Sequence, residues 1–497
     1  MSPNVTTEQG ILAGTLEDGL AVFRGVPFAA PPFGPRRFSP PVAPKPWDGI
    51  RPAVEAGDAP PQPISDDPID RHYFGPGRQG EDCLNLEIWS PDLGAVNLPV
   101  MVWIHGGGFM TGAGSAPGYS GRTFARDGVV HVGINYRLGV EGFTYLGDGT
   151  DNLGLLDQVA ALEWVARNIA AFGGDPHNVT IYGQSGGAVA VMSLLAMPAA
   201  NGLYAKAIAQ SGSPMASVDT DDAAEVTRRL AAKLGIAPTR AAFASVPTKR
   251  TVAETMPLAI DFASKPWRYG AQSLNISPFR AVHGTPSLPA APLVAAASPA
   301  HDQPAIPLLT GTTRNEATFF LRGLGTLEKI NPLAARLLEH YMDVDRPVRR
   351  AYRTGPRHIV SRVGLVEAAW TDWGLRLPTI RLAETRSAPS YLYEFWWASP
   401  NYPAGLGALH TVEMPFVRDD LAGVTALGAP GLKLVGADPP AELATEMHSR
   451  WVRFATTGDP GWPAYDRERR ATMVFDTPSR VVEDPASPER QAWEGRR

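Results

Sequence analysis

One stretch of the chain, residues 178 to 197, constrains the fold more than any other. It begins with an apolar, β-prone run, NVTIY, passes through GQSGG, and continues as a helical run of mostly small and apolar residues, AVAVMSLLAM. We predict a strand, a sharp turn and a helix. The turn spells G-x-S-x-G around Ser185, and its strained backbone requires neighbours without side chains. Such a turn exposes a serine hydroxyl where the helix dipole and the N–H of Gly186 face a developing oxyanion.

Strands and helices alternate around this turn. The alternation predicts a large, mostly parallel central sheet flanked by helices, an α/β fold whose chemistry lies beyond the carboxyl ends of the strands. A candidate catalytic residue should therefore follow a strand. We predict a helix over 153–175, capped by Asn152, and strands within the segments 83–91, 98–107, 129–138, 204–213, 305–320 and 390–400.

Two long segments leave this alternation. Residues 217–300 are helical or irregular in pattern, and residues 325–388 are rich in arginine and helical in pattern. We expect both to be insertions that cover the active-site cleft as a lid or regulatory region. Since large α/β enzymes carry such insertions within one body, we expect residues 1–497 to form a single catalytic domain.

A serine hydroxyl needs a general base, and the ten histidines are the first candidates. His410 follows the predicted strand at 390–400, in the loop GLGALHTVEMPF. His448 lies in an amphipathic run that is typical of a helix surface. His105 belongs to HGGGF, too close to the glycines of that loop to act on Ser185. We therefore predict His410 as the base.

The base needs an acid that holds its tautomer, and in hydrolases with this turn the acid lies between nucleophile and histidine in the chain. Glu316 has that position and follows the apolar run AIPLLTG. Its rival, Glu413, lies three residues after His410 and is expected to anchor its own loop. We therefore predict Glu316 as the acid.

The glycines after the strand at 98–107 are candidate oxyanion donors. Gly106, Gly107 and Gly108 have no side chains, so a substrate carbonyl can approach their backbone. A phosphate site is disfavoured because the sequence has neither G-x-G-x-x-G nor a Walker lysine, and H-E-x-x-H is also missing. We expect no metal and no cofactor.

Ten ordered segments resemble the B-type carboxylesterase family of α/β-hydrolases, which includes bacterial p-nitrobenzyl esterases. The resemblance runs almost from end to end. The segments are FRGVPFAAPPFGPRRF, EDCLNLEIWSP, WIHGGGF, NYRLGVEGF, NLGLLDQVAALEWV, NIAAFGGDPHNVTIYGQSGGA, AIAQSGS, GTTRNEATFF, GALHTVEMPF and WVRFATTGDPGWPAY.

This resemblance implies an α/β-hydrolase fold and a serine esterase that works through an acyl-enzyme. It implies Ser185 as nucleophile, Glu316 as acid and His410 as base, in agreement with the residue-level argument. The oxyanion donors that it implies are Gly107, Gly108 and Gly186. The chain departs from the family at three positions. Glutamate is common before the serine and alanine two residues after it, but this chain has Gln184 and Gly187; it also has His283 where an acid is expected.

The resulting prediction is a carboxylesterase for small to medium apolar or aromatic esters. A carbamate or amide hydrolase on the same triad is the alternative within hydrolases, and a non-catalytic interaction protein of the same fold is the alternative outside them. Aromatic and apolar side chains predict the pocket, although each also suits a packed core. Those predicted to line it are Phe109, Met110, Phe279, Phe319 and Phe320, and Trp267, Trp396 and Trp397 are further candidates.

Charge and cysteine content restrict partners and location. A net charge of −5 without a basic run disfavours nucleic acid, so a small-molecule ester remains as the expected partner. The N-terminal residues lack the pattern of an export signal, and no stretch is long and apolar enough for membrane insertion. Cys83 is the single cysteine, and we expect a cytoplasmic protein; the sequence does not indicate the oligomeric state.

Overall fold

The computed structural model describes residues 2–275, 277–297, 305–323, 332–400 and 407–496. Parts of the two predicted insertions, namely residues 276, 298–300 and 325–331, lie outside the described residues. Among the described residues the strands form one sheet of three strands and one of eleven. The strands are β1 (Asn4–Thr7), β2 (Gly10–Ala13), β3 (Thr15–Glu17), β4 (Leu20–Pro27), β5 (Ile50–Pro52), β6 (Asn85–Ser90), β7 (Leu98–Ile104), β8 (Val130–Ile134), β9 (Gly174–Gln184), β10 (Lys206–Gln210), β11 (Leu308–Thr313), β12 (Ser390–Phe395), β13 (Ala471–Phe475) and β14 (Arg480–Glu483).

The large sheet has the order β14-β13-β12-β11-β10-β9-β7-β8-β6-β4-β3. From β8 to β13 every neighbouring pair is parallel, whereas the pairs at both edges are antiparallel. The prediction of a mostly parallel central sheet is confirmed. Because β9, β10, β11 and β12 are parallel neighbours, the segments that follow them emerge at one edge of the sheet.

Helices connect the strands and cover the sheet. Those before residue 298 are α1 (Pro68–His72), α2 (Arg122–Arg126), α3 (Gly139–Phe143), α4 (Leu153–Asn168), α5 (Gly186–Leu194), α6 (Thr220–Leu234), α7 (Arg240–Ser245), α8 (Thr248–Ser264), α9 (Pro266–Tyr269) and α10 (Pro292–Ala297). Those after it are α11 (Glu316–Gly323), α12 (Pro332–Tyr341), α13 (Arg346–Thr354), α14 (Arg362–Thr371), α15 (Leu377–Thr385), α16 (Met414–Val417), α17 (Leu421–Thr425), α18 (Ala429–Val435), α19 (Ala441–Thr457) and α20 (Ser487–Ala492).

The sheet separates two hydrophobic cores. Val100 and Val102 of β7 pack into one core, whereas Met101 and Trp103, which alternate with them, pack into the other. A strand with period-two side chains that is covered on both faces must be apolar throughout, and this explains the run VMVWI. No helix in the described part of the chain is long and apolar enough to cross a membrane.

Asn152 occupies the N-cap position of α4 as predicted, whereas the prediction that His448 lies on a helix surface was wrong. Asn152 precedes α4 as expected, but its side chain makes no capping hydrogen bond; its amide instead donates to Val282 O and accepts from Val282 N–H, at 2.9 and 2.8 Å. His448 lies on α19, but only 2% of it is exposed, and its Nδ1 lies 2.8 Å from Val417 O. Long-range contacts override local patterns at both positions.

Candidate active site

Ser185 occupies the turn between β9 and α5 with φ 57° and ψ −123°, a conformation that few residues with a side chain adopt. Both glycines of the motif are sterically required. A Cβ on Gly187 would lie 2.0 Å from Ile104 O, and one on Gly183 would lie 2.5 Å from the carbonyl carbon of Gly187. The turn is thus pressed against the end of β7, and this contact fixes the backbone of Ser185.

Glu316 and His410 come together from neighbouring strands. Glu316 lies three residues after β11, and its Oε1 accepts a hydrogen bond of 2.7 Å from the N–H of Thr313 at the end of that strand. His410 lies in the segment that follows β12, and its Nδ1 is 2.5 Å from Glu316 Oε2. Both side chains are buried, so the carboxylate orients the ring with little competition from solvent.

A pair of hydrogen bonds holds the two segments together. The N–H of Asn315 donates to Ala408 O at 3.0 Å, and the N–H of Ala408 donates to Asn315 Oδ1 at 3.1 Å. Asn315 and Leu409 also form a parallel bridge. Glu316 and His410 are the next residues in their segments, so this short ladder sets their separation.

The other ring nitrogen of His410 contacts the residue before the serine. Gln184 Nε2 lies 3.2 Å from His410 Nε2, and only 3% of Gln184 is exposed. Among the described residues, Glu316 and Gln184 are the hydrogen-bond partners of the His410 ring. Ser185 and His410 line the same cavity. The role of Gln184 could not be predicted, although its departure from the family pattern marked the position.

Glu413 does not contact His410 through a hydrogen bond. Its carboxylate accepts from Gln210 Nε2 at 3.1 Å and from the hydroxyl of Tyr393 at 3.1 and 3.0 Å. Burial, followed by the negative charge of Glu316, raises the pKa of Glu413 to about 8, while these two donors act in the opposite direction. Glu413 is therefore mainly protonated at neutral pH, so a second full negative charge does not arise beside Glu316.

Gly107 and Gly108, in the loop after β7, lie against Gly186, the residue after the serine. Gly107 has φ 98° and Gly108 has φ 60°, and a Cβ on Gly186 would lie 2.9 Å from Gly108 N. The two loops are therefore in close contact. Among the described residues, none accepts a hydrogen bond from the N–H groups of Gly107 or Gly108. Gly186 is the first residue of α5, where a backbone N–H has no acceptor within the helix. Donors without acceptors at a cavity surface are available to an oxyanion.

A cavity of about 630 Å³ opens above these groups. The five predicted pocket residues, Phe109, Met110, Phe279, Phe319 and Phe320, all line it, as do Ser185, His410 and the glycines 106–108 and 186.

The aromatic residues of this set differ in exposure. Phe109 and Phe279 are 2% and 1% exposed and form its inner surface, whereas Phe319 is 39% exposed. The Phe320 ring lies 4.7 Å from the His410 ring, between their centroids.

The three tryptophans considered as further pocket candidates do not line this cavity. Trp267 is 67% exposed on α9. Trp396 lies under the guanidinium of Arg314, and Trp397 packs against Phe416 in the second core. The aromatic character of a residue therefore does not by itself identify a pocket residue, because it does not indicate which side of a helix or strand faces the cavity.

Much of the cavity is built by segments outside the strands. Lining residues come from 63–77, from 274–280 without residue 276, and from 370–375, and we call these residues the cavity wall. The last two segments belong to the predicted insertions. The first was missed, as were the charged side chains of Asp70, Arg71 and Arg280. We call Ser185, Glu316, His410 and the glycines 107 and 108 the catalytic edge.

Among the described residues, no group of three or more His, Cys, Asp or Glu side chains is placed to hold a metal ion. Cys83 is buried, and burial raises the pKa of its thiol, so it is not poised as a ligand or nucleophile.

The parallel sheet, the serine turn after β9 and the buried His–Glu pair define a serine hydrolase of the α/β-hydrolase fold. The sequence model of the Carboxylesterase family matches residues 1–493, and the chain belongs to this family. The chain is a serine carboxylesterase, and the alternatives of a carbamate or amide hydrolase and of a non-catalytic protein are not favoured.

Similar proteins match this chain over almost its whole length. The chain is 37% identical to the para-nitrobenzyl esterase of Bacillus subtilis over 98% of this chain and 97% of that protein. It is 34% identical to the phenmedipham hydrolase of Pseudarthrobacter oxydans, with 98% of each chain covered. The crystal structure of a Geobacillus stearothermophilus carboxylesterase superimposes with a TM-score of 0.84 at 35% identity, covering 99% of this chain and 100% of that chain.

Proposed function

We propose that Ser185 is the nucleophile that attacks the ester carbonyl, with His410 as its general base and Glu316 as the acid. The observation that carries this proposal is the buried contact of 2.5 Å between His410 Nδ1 and Glu316 Oε2. A carboxylate at Nδ1 keeps the proton there and leaves the Nε2 lone pair for the serine hydroxyl. The same carboxylate stabilises the imidazolium that forms when the serine proton is transferred.

The tetrahedral intermediate places negative charge on the former carbonyl oxygen. In our proposal the N–H groups of Gly107, Gly108 and Gly186 donate to that oxygen. Collapse of the intermediate expels the alcohol, which takes the proton from His410 Nε2, and leaves an acyl group on Ser185. Water activated by His410 then hydrolyses the acyl-enzyme, so each turnover returns the free serine.

Gln184 is proposed to position the His410 ring from its second nitrogen. Its amide N–H donates to neutral Nε2 in the resting enzyme. Nε2 has one lone pair, so this hydrogen bond must break before the serine hydroxyl uses Nε2, and the amide holds the ring without adding a charge. Unlike a glutamate at this position, it does not favour the imidazolium electrostatically.

The substrates proposed are small to medium esters with apolar or aromatic parts. The cavity volume of about 630 Å³ and the rings of Phe319 and Phe320 beside His410 support this class. A panel of 4-nitrophenyl esters of increasing acyl length tests it. We expect kcat/KM to be highest for short or medium acyl chains, and a maximum at long lipid chains would contradict the proposal.

Substitution of the nucleophile tests the assignment of the triad. Ser185→Ala should reduce kcat for 4-nitrophenyl acetate by about four to six orders of magnitude, because the covalent route is lost. Unchanged hydrolysis by this variant would sink the proposal. Circular dichroism of the variant provides the control for folding.

We further propose that the chain acts as one catalytic unit, with 217–300 and 325–388 covering the cleft. Support comes from the lining residues that both segments supply, such as Phe279 and Trp370. A cytoplasmic location and the lack of nucleic-acid binding also stay predictions. Cell fractionation and a nucleic-acid shift assay test them directly.

A further inference from the structure

Arg280 is a buried cation among the residues that line the catalytic cavity, and it also lines a smaller neighbouring cavity beside Val226. It belongs to the cavity wall, and only 4% of it is exposed. Its Nη2 donates to the side-chain oxygen of Gln272, while its Nε has no hydrogen-bond partner among the described residues. A guanidinium has five N–H donors, so most of its hydrogen-bonding capacity is unused.

Most other buried arginines in the described part of the chain are paired with a carboxylate. Arg137 is 1% exposed in its side chain and bonds Asp157 through two nitrogens, at 2.8 and 2.6 Å. Buried arginines that also have a carboxylate within 4 Å are Arg37, Arg376 and Arg490.

Arg418 has no carboxylate partner, but it donates to the oxygens of Tyr119, Ser120 and Tyr182. It also lies over the rings of several aromatic residues. Among the described residues, Arg280 has no carboxylate within 4 Å and a single hydrogen bond, and its guanidinium lies over the Phe262 ring, 5.5 Å from the centroid. It thus has the fewest polar partners of these buried guanidinium groups.

Arg280 keeps its charge despite burial. Burial lowers the pKa of Arg280 to about 10, and the more distant Asp222 and Asp219 oppose this change. At neutral pH the group is therefore still protonated. An unpaired buried charge destabilises a folded protein, so its presence calls for a compensating ligand or function.

The cavity has little negative charge to satisfy this cation. Among the described lining residues, Asp70 is the one carboxylate, and its Oδ2 already accepts from the hydroxyl of Ser65 at 3.1 Å. Burial and the charge of Asp67 raise the pKa of Asp70. Arg71 adds a second positive charge to the same lining.

We propose that Arg280 forms an anion subsite within the catalytic cavity, and that the preferred substrates are esters that also carry a carboxylate. This inference rests on the proposed role of Ser185 and narrows its substrate class. The planar guanidinium suits a carboxylate, which accepts two of its N–H groups at once. The apolar part of such an ester lies against rings such as Phe279, which also lines the cavity.

Matched substrates test this subsite. Mono-4-nitrophenyl adipate places a carboxylate on the acyl part, and its primary amide is a neutral counterpart of nearly the same shape. 4-Acetoxybenzoic acid and 4-acetoxybenzamide form the same comparison for the alcohol part. We expect kcat/KM of the wild type to favour the acid by roughly 10- to 100-fold in at least one pair, the range of a charge-assisted hydrogen bond. Equal or lower values for both acids would overturn the proposal.

Variants assign the preference to one residue. Arg280→Met should remove most of the acid-to-amide ratio, and Arg280→Lys should keep more of it because the charge remains. Arg71→Met is the matched control, since it removes an exposed arginine of the same cavity, and should change the ratio by less than about threefold. An unchanged ratio in Arg280→Met, or an equal loss in Arg71→Met, would contradict the subsite.

A measurement on the wild type alone tests the subsite even if the Arg280 variants do not fold. Hexanoate should inhibit hydrolysis of 4-nitrophenyl acetate with an inhibition constant at least about tenfold lower than that of hexanamide. Equal constants would overturn the proposal. Ser185→Ala separates the two hypotheses: if it abolishes hydrolysis while the acid-to-amide ratio of the wild type is near one, the anion subsite fails and the nucleophile stands.

Discussion

The catalytic edge and the cavity wall differ in how they are built. Every residue of the edge follows a strand of one sheet, and its side chains are fixed by close contacts, such as that of His410 with Glu316. The wall comes from segments between strands, and it holds a buried cation, Arg280, with one hydrogen bond. Groups that are held rigidly in place suit chemistry that is the same for every ester.

A wall with an unsatisfied group suits discrimination between esters. Under our proposal the two regions have different tasks: the edge carries out the reaction, and the wall determines which ester is used. Substitutions at the edge should lower kcat for all esters by similar factors. Substitutions in the wall should change the ratio between esters.

The largest expected effect is a loss of kcat that distinguishes two buried glutamates near His410, Glu316 and Glu413. Glu316→Gln should lower kcat by about four orders of magnitude for every ester. The glutamine carbonyl would accept the N–H of Thr313, which turns its NH2 group toward His410 Nδ1 and favours the wrong tautomer, and a neutral amide stabilises the imidazolium less than a carboxylate does. Steady-state kinetics with one neutral and one acidic ester measure this loss.

Glu413→Gln is the matched control. Since the raised pKa of Glu413 means that its carboxyl is mainly protonated at neutral pH, the amide resembles its native state. We expect a loss of less than about tenfold, in the range of a displaced hydrogen bond. Equal losses in the two variants would show that Glu316 is not the acid of the triad.

A smaller effect is expected in the glycine loop of the edge. A Cβ on Gly107 would lie 2.1 Å from Thr111 O at φ 98°, so Gly107→Ala must displace the loop and its N–H donors. We expect kcat to fall by about 10²- to 10³-fold, the cost of a lost oxyanion donor. Gly108→Ala meets its nearest atom, Met110 Cε, at 3.5 Å and should lose less than about tenfold.

Equal losses in these two variants would contradict the steric argument. Such a result would mean that any side chain in this loop blocks the substrate, whatever the fit of the loop to its neighbours. The KM values separate the two causes, because a blocked substrate raises KM while a misplaced donor lowers kcat.

The smallest effect concerns stability and contrasts two buried arginines. Arg137→Met leaves Asp157 buried without its partner, and we expect a loss of about 3–5 kcal/mol in the free energy of unfolding. Arg280→Met leaves no carboxylate unpaired within 4 Å, so the change should be within about 1 kcal/mol of zero or stabilising. Calorimetric or denaturant unfolding of both variants compares them.

A large destabilisation by Arg280→Met would mean that Arg280 supports the fold of the wall rather than a ligand. The anion subsite would then be tested by the wild-type enzyme alone, through the inhibition constants of hexanoate and hexanamide. A stable Arg280→Met variant with a lowered acid-to-amide ratio of kcat/KM would indicate that the buried charge serves substrate selection and not folding.

The sequence contains clearer signals for the catalytic edge than for the wall. Ser185 has a local motif, and His410 and Glu316 were predicted by requiring each to follow a strand in the right chain order. These rules work because parallel strands bring their ends to one edge of the sheet. The position of Asn315, whose ladder with Ala408 sets the geometry, carries no such local signal.

The wall depends on contacts between distant segments. Nothing local shows that residues 63–77 lie beside 274–280, or that Arg280 is buried while Trp267 is 67% exposed. The antiparallel strand β14 and its partner β13 were also not predicted. Their short sequences, ATMVF and RVVE, do not by themselves indicate strands. β13 pairs with β12, and β14 pairs with β13.

Covalent trapping tests the central claim, that the reaction is set by Ser185 at the catalytic edge, most directly. The enzyme would be inactivated with diisopropyl fluorophosphate and its peptides analysed by mass spectrometry. Our account predicts one adduct for each chain, on the peptide that carries Ser185, formed in proportion to the loss of activity. An adduct on another serine of the cavity, such as Ser211, or loss of activity without an adduct on Ser185, would contradict it.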